Sequence, residues 1–224
     1  MADRRLSIAL VCFDLGGVLV RICRSWEEAC ARAGIDVRRD DAWERLRPAR
    51  RETSRLYGIG GIDCDAYFRG ISQAMNGLYR PEEVRRIHGA WTIEDYPAVS
   101  EVLTRLNEAG VRTACLSNTN HSHWARLIHH DGRRDLPGTP EFPVVRLIRE
   151  RFASHLMGVA KPDPQIYRAF QSAVNVAPEQ ILFFDDLEEN IAAAQQAGWT
   201  ARPIDHRSDT APQIESHLNE FGRL

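Results

Sequence analysis

Lysine is almost missing from this chain: of 29 Lys and Arg positions only one, Lys161, is a lysine. Either cation solvates well on a surface, so a single exception to an arginine rule asks for a local cause. A compact ammonium on a flexible stem fits against a phosphoryl oxygen where a planar guanidinium is too wide. Strong net charge is absent too. The formal value is −2, which argues against a bulk electrostatic footprint for nucleic acid or an anionic membrane. The cysteines (Cys12, Cys23, Cys30, Cys64 and Cys115) are odd in number and show no CxxC spacing. They read as reduced thiols of a cytosolic protein, not as a disulfide framework or zinc site. Long hydrophobic runs are lacking as well. Arg4 and Arg5 ahead of IALVCF imitate the start of a signal peptide, but Asp14 ends that run after six residues, too few to span a bilayer. The chain is therefore expected to be cytoplasmic, with no membrane and no nucleic-acid partner.

What is present is an ordinary globular composition, 43% hydrophobic and 27% charged over 224 residues, enough for one large domain or for a core with a smaller insert. Ile8–Phe13 is a continuous apolar run that stops at Asp14, and the pattern recurs at Val111–Leu116, which ends at Ser117, and at Ile181–Phe184, which ends at Asp185. Such runs read as strands buried on both faces. Amphipathic helices lie between them. Asp163 is an N-cap, Pro164 a first helical residue, and Ile166, Ala169, Phe170, Ala173 and Val174 share one face. Val99, Val102, Leu103 and Leu106 form another apolar face ahead of Gly110, the expected C-cap. Alternating strands and helices predict an α/β fold with a doubly wound parallel sheet, whose ligands bind outside the strand carboxyl ends.

Residues 21–95 break this pattern. Helical stripes at Trp26, Ala29, Cys30 and Ala33, at Phe68, Ile71 and Met75, and at Val84, Ile87 and Trp91 occur with no convincing strand between them. The expected organisation is a core of residues 1–20 and 96–224 with a helical insert at 21–95. The arginines between Arg45 and Arg55 are better read as a solvated helix face than as an anion site. His121, His123, His129 and His130 flank a helix whose inner face is Trp124, Leu127 and Ile128, and are read as solvated rather than as metal ligands. Residues 131–143, rich in Gly and Pro, read as a loop.

Four polar positions thus stand in order at one end of one sheet: Asp14, Ser117, Lys161 and the Asp185–Asp186 pair. With the segments FDLGGVL, LSNTN, GVAKPDPQIY and FFDDLEENIAAAQQAGW, the chain resembles the haloacid dehalogenase-like hydrolases from residue 8 to about residue 200. Within that superfamily it is most similar to bacterial phosphatases of small sugar phosphates, and the insert matches the helical cap of the first subclass. The resemblance implies a Rossmann-like core and a small phosphorylated substrate. Asp14 would be the nucleophile, forming an aspartyl-phosphate that water cleaves. Mg²⁺ would be held by Asp14, the Gly16 carbonyl and Asp186, an oxygen set suited to that ion. Asp185 would support the metal through water or orient Lys161. Asn190 would steady the Asp186 carboxylate from one helical turn on. The Ser117 hydroxyl, the Asn118 backbone N–H and Lys161 would receive the phosphoryl oxygens. Trp26, Tyr57 and the Arg45–Arg55 run are the candidate cap contacts.

One position departs from the family pattern. Most of its phosphatases carry a second Asp two residues after the nucleophile, as the acid that protonates the leaving group; here that residue is Gly16. Acid help of this kind is typically worth ~10²–10⁴ in rate. Three readings follow: a phosphatase whose substrate has a relatively acidic leaving group, a 2-haloacid dehalogenase, and a catalytically weak phosphate-binding or regulatory protein. The first is favoured, because dehalogenases need no metal and the Asp185–Asp186 pair would repel their carboxylate substrate.

Overall fold

The computed structural model describes residues 8–128 and 142–223. Strand β1 (Leu10–Phe13) leads through a tight turn into β2 (Val20–Ile22). Four helices follow: α1 (Trp26–Ala33), α2 (Arg47–Gly58), α3 (Cys64–Gln73) and α4 (Pro81–Gly89). The chain returns through β3 (Thr92–Asp95), α5 (Val99–Glu108), β4 (Arg112–Ser117) and α6 (His121–Ile128). Beyond residue 141 come α7 (Pro143–Leu147), β5 (Glu150–Ala153), α8 (Ser154–Met157) and α9 (Pro164–Val174). The last elements are β6 (Ile181–Asp185), α10 (Glu188–Gln196), β7 (Thr200–Pro203) and α11 (Ala211–Glu220).

Five strands pair in parallel in the order β5-β4-β1-β6-β7. The central strands β1 and β6 are apolar on both sides because both faces of the sheet are covered. On one face Val11, Phe13, Cys115, Leu182 and Phe184 pack against α5 and α11 through Val102, Leu106, Ile214 and Leu218. On the other, Leu10, Cys12, Ala114, Leu116 and Phe183 pack against Ile166, Phe170 and Val174 of α9 and Ala194 of α10. The doubly wound α/β core is as the sequence predicts. Helix α9 starts as read: the Asp163 carboxylate accepts from Gln165 N at 2.8 Å and Pro164 opens the helix. Helix α5 ends one residue earlier than expected, capped by Ala109, and Gly110 follows with φ 72°.

Helices α1 to α4 build a third cluster of their own, around Cys30, Tyr57, Phe68, Ile71, Tyr79, Val84 and Ile87. Here the structure adds something the sequence did not show. The inserted helices are bracketed by an antiparallel ribbon, with Val20 opposite Asp95 and Arg21 opposite Glu94 and a register shift before Ile22. These strands are short and half exposed, so they carry no apolar run that a pattern could register. The ribbon ties both ends of the insert together beside the end of β1. All five cysteines are free, and among the described residues no helix is long and apolar enough to cross a membrane.

His121 is exposed as expected, but His123 is buried. Its place on the flank of the apolar stripe predicts a solvated ring. In the structure α6 is covered by α4 on that side, and the His123 ring lies flat on His88 at 3.9 Å between centroids. His129, His130 and residues 131–141 lie outside the described residues. Arg45, Arg47, Arg51 and Arg55 are exposed, in keeping with a solvated face, and Arg55 pairs with Glu52 at 2.7 Å. Tyr57 is buried, stacked on Tyr67 at 4.2 Å, and its hydroxyl accepts from Ser122 N of α6 at 3.2 Å.

Candidate active site

The carboxyl ends of β1, β4 and β6 are neighbours because these three strands are adjacent in the sheet. They deliver Asp14, Ser117 and Asp185 to one edge, and the segment before α9 brings Lys161 to them. Lys161 Nζ lies 2.6 Å from Asp185 Oδ2 and 3.2 Å from Asp14 Oδ1, and its side chain has no solvent exposure. The ammonium also sits 5.2 Å from the centre of the Phe183 ring, a contact that favours a cation. Burial by itself would strip the proton from this amine; Asp14 and Asp185 outweigh that and hold it above the usual lysine value.

Asp14 accepts from Leu15 N through Oδ1 at 2.7 Å. Burial raises its pKa to about 7, with Asp185 and Asp186 adding to the rise and Lys161 and Leu15 N–H opposing it. The carboxylates of Asp14, Asp185 and Asp186 each offer an oxygen, all within 4.8 Å of one another. Two carboxylates, Asp14 and Asp185, thus pair with one buried ammonium, and Asp186 completes the acidic cluster beside them. Arg24, reaching from the end of β2, offsets part of the excess by donating to Asp186 Oδ2 at 2.7 Å; His206 Nδ1 is 3.4 Å from the same oxygen. An all-oxygen donor set with surplus negative charge is what a hard divalent cation such as Mg²⁺ requires, so the residues fit that ion.

Asp185 is fully buried and its two oxygens are already served by Lys161, by Leu187 N at 2.9 Å, and by Asn190 Nδ2 at 2.9 and 3.1 Å. This corrects the sequence expectation for Asn190, which steadies Asp185 rather than Asp186. The reason is geometric. Asp185 is the last residue of β6 and points inward over the start of α10, whereas Asp186 turns out toward Arg24. Asn118 also does more than expected. Its side chain clamps the Lys161 peptide from both sides, Nδ2 donating to Lys161 O and Oδ1 accepting from Lys161 N, each at 2.8 Å. Ser117 is buried beside it at the end of β4.

The turn after β1 explains Gly17. Gly17 has φ 84°, and a Cβ there would stand 2.3 Å from Arg24 Nη2 and 2.5 Å from Asp186 Oδ2. Its N–H bonds Val20 O while Val20 N bonds Leu15 O, each at 2.8 Å, so the turn's own bonds leave the Gly16 carbonyl unused. Arg24, His206, His88 and Asn120 were not foreseen. Asn120 belongs to the LSNTN segment and could have been singled out; Arg24 and His206 carry no local signal, because only folding brings them to Asp186.

The similarities of the chain agree with this geometry. Residues 8–198 match the family model for haloacid dehalogenase-like hydrolases. The chain is 27% identical to Phosphatase MT3486 of Mycobacterium tuberculosis over 98% of its own length and 97% of that protein. It is 34% identical to Enolase-phosphatase E1 of Acidiphilium cryptum over 60% of this chain and 58% of that enzyme. In three dimensions it superposes on a HAD family enzyme of Bacteroides thetaiotaomicron, solved as a magnesium complex, with a TM-score of 0.72 and 21% identity, covering 93% of this chain and 98% of that one. At that identity the structural likeness is one of fold. With the family match running from the first strand of the sheet past the acidic pair, the chain belongs to the haloacid dehalogenase-like hydrolases.

Proposed function

We propose that this hydrolase is a Mg²⁺-dependent phosphatase of small phosphomonoesters that works through an aspartyl-phosphate on Asp14. The observation that carries the reading is the placement of Asp14 at the end of β1, 3.2 Å from the buried Lys161 and within the acidic cluster. Oδ1 is held by Leu15 N and Lys161, which leaves Oδ2 outside those bonds for attack on phosphorus. The P–O ester bond breaks as the Asp14–phosphorus bond forms, and the electron pair departs with the alcohol oxygen. Water then cleaves the acyl-phosphate, releasing inorganic phosphate and regenerating the carboxylate. Asp14, the Gly16 carbonyl and Asp186 would hold the cation, which neutralises phosphoryl charge as two anions approach. Asp185, saturated with donors, positions Lys161. Ser117 Oγ, Asn118 N–H and Lys161 receive the phosphoryl oxygens. In this reading residues 21–95 are the cap over a core of 1–20 and 96–224, and the protein works in the cytoplasm.

The test is phosphate release over a panel of metabolite phosphomonoesters with and without Mg²⁺, beside chloride release from 2-haloacids. Metal-dependent phosphate release that Asp14→Asn abolishes is the expected result. Chloride release without metal would make the protein a dehalogenase. Silence in both assays, with phosphate still bound, would assign it a binding role.

A further inference from the structure

Beside Gly16, Ser117 and Asn118 a cavity of about 400 Å³ runs under the inserted helices. That volume lies in the range of small-molecule sites. Its walls are Trp26, Tyr67, Ile71, Met75 and Trp91, closed from the core side by Leu127.

Much of the polar lining is already engaged. The Asn118 amide is used on both sides by the Lys161 peptide. Asn120 Oδ1 accepts from His88 Nε2 at 3.2 Å and from Ser122 Oγ at 3.0 Å, while its amide nitrogen donates to His123 Nδ1 at 3.2 Å. His123 Nε2 donates to the His88 carbonyl at 2.8 Å. Arg50 donates to the Trp43 carbonyl at 2.7 Å and lies 4.3 Å over the Trp43 ring. Two buried polar atoms of the wall, Trp26 Nε1 and Thr92 Oγ1, have no partner among the described residues; a sugar seated here would bring more hydroxyls than these against largely apolar walls. Trp26, Trp43, Tyr67 and Trp91 make the wall largely aromatic, which suits a flat ring.

An independent observation concerns the leaving oxygen. Among the described residues that line the cavity none is Asp or Glu. Burial pushes His88 and His123 below the usual histidine value, which favours their neutral rings. Neither is poised to give up a proton at neutral pH, and Gly16 brings no acid of its own. With no carboxylic acid on the cavity wall, a leaving oxygen that is stable as an anion is favoured. A phenolic oxygen, with a pKa of about 10, leaves as an anion far more readily than the oxygen of an aliphatic alcohol.

Resting on the phosphatase reading, we propose that the substrate is the phosphomonoester of a small aromatic alcohol, with its ring seated among Trp26, Tyr67 and Trp91 and its phosphoryl group at Asp14. Cleavage follows the steps above: the phenolate departs with the electron pair of the broken P–O bond and takes its proton from water.

Two measurements on the full chain with Mg²⁺ decide it. In the first, kcat/KM is compared for 2-naphthyl phosphate, phenyl phosphate, decyl phosphate and glucose 6-phosphate. In the second, calorimetry on Asp14→Asn reads ground-state affinity for the same compounds, free of their intrinsic reactivity. The expected result is that 2-naphthyl phosphate binds about tenfold or more tighter than decyl or glucose phosphate, and turns over best. Trp91→Ala should raise KM for the naphthyl ester about tenfold with inhibition by inorganic phosphate unchanged; Met75→Ala serves as a second wall variant should the first fail to fold. Tighter binding of the sugar or decyl ester overturns the proposal. If no ester is hydrolysed, the phosphatase reading fails, and the binding arm still decides the cavity: a preference for the aromatic ester upholds its ligand class, and equal affinities overturn it.

Discussion

The strand-end site and the cavity under the insert are both buried, yet they treat burial in opposite ways. At the strand ends charged groups are packed together, and Asp185 accepts short bonds from both Lys161 and the Asn190 amide. Removing one partner there leaves a buried charge exposed to low dielectric without compensation. In the cavity the polar side chains turn toward each other, His88 to Asn120 and Asn120 to His123, and aromatic and aliphatic groups make up the wall. The first arrangement can perform chemistry on an anion. The second can choose what the anion is attached to.

The comparison breaks most sharply at Asp14. Asp14→Asn is nearly isosteric, and Lys161 keeps Asp185 at 2.6 Å, so the fold should survive while turnover falls by about 10³-fold or more. Steady-state phosphate release alongside a thermal melt checks both halves. Undiminished release would remove Asp14 from the mechanism.

The cavity side is tested by pH. His123 is held near a pKa of about 4 by burial, against an ordinary value of 6.5, with Arg126 opposing its charge as well. Its folded pKa is depressed, so the unfolded chain binds the proton first as pH drops. Its neutral burial therefore carries no penalty above pH 6.5 and costs stability progressively as pH falls toward 4. The loss is on the order of 3 kcal/mol by that point. His88, stacked against it and also lowered, adds in the same direction. His123→Gln cannot titrate, so the stability gap between wild type and variant should narrow as pH falls from 7 to 4.5, read by denaturant unfolding. A gap independent of pH would mean that His123 is not buried neutral.

Lys161→Arg probes the strand-end site more gently. The wider guanidinium must fit between Asp14 and Asp185 in a space with no solvent exposure, and about a tenfold loss in kcat/KM is expected, ~1.4 kcal/mol of transition-state stabilisation. Near-normal kinetics would show that the chain's one lysine is not there for its shape.

The smallest effect is expected from Gly16→Asp, which joins the two regions. Gly16 does not share the left-handed conformation of Gly17, and a Cβ would meet only the tip of Ile22, 3.0 Å away. A supplied acid should speed alkyl phosphates a few-fold while aryl phosphates change little, since general-acid help of up to ~10²–10⁴ needs ideal placement. Equal changes for both, with Mg²⁺ affinity intact, would show that leaving-group protonation is not limiting.

Much of the strand-end site was legible beforehand because each residue is fixed by a local rule. A buried strand ends at a polar residue, and parallel strands send their ends to one edge. The roles inside the cluster were less legible. Asn190 was assigned to Asp186 by helical spacing, but the inward aim of Asp185 at the end of β6 decides the pair. Tyr57 was nominated as a cap contact and lies instead on Tyr67, its hydroxyl accepting from Ser122 N. Of the arginine run, Arg50 is the one that lines the cavity.

By itself the sequence determined the doubly wound core, the order of Asp14, Ser117, Lys161 and Asp185 along its edge, and the absence of an acid at Gly16. These follow from periodicity, strand ends and residue identity, which are properties of neighbours along the chain. Only the tertiary structure decided that the ribbon of β2 and β3 pins the insert, that Arg24 and His206 face Asp186, and that His123 is buried against His88. The same packing made a cavity from residues as distant as Trp26, Met75 and Leu127. An amphipathic helix specifies that one face is buried, but what covers that face is set by the packing of elements far apart in the chain, and no local pattern records it.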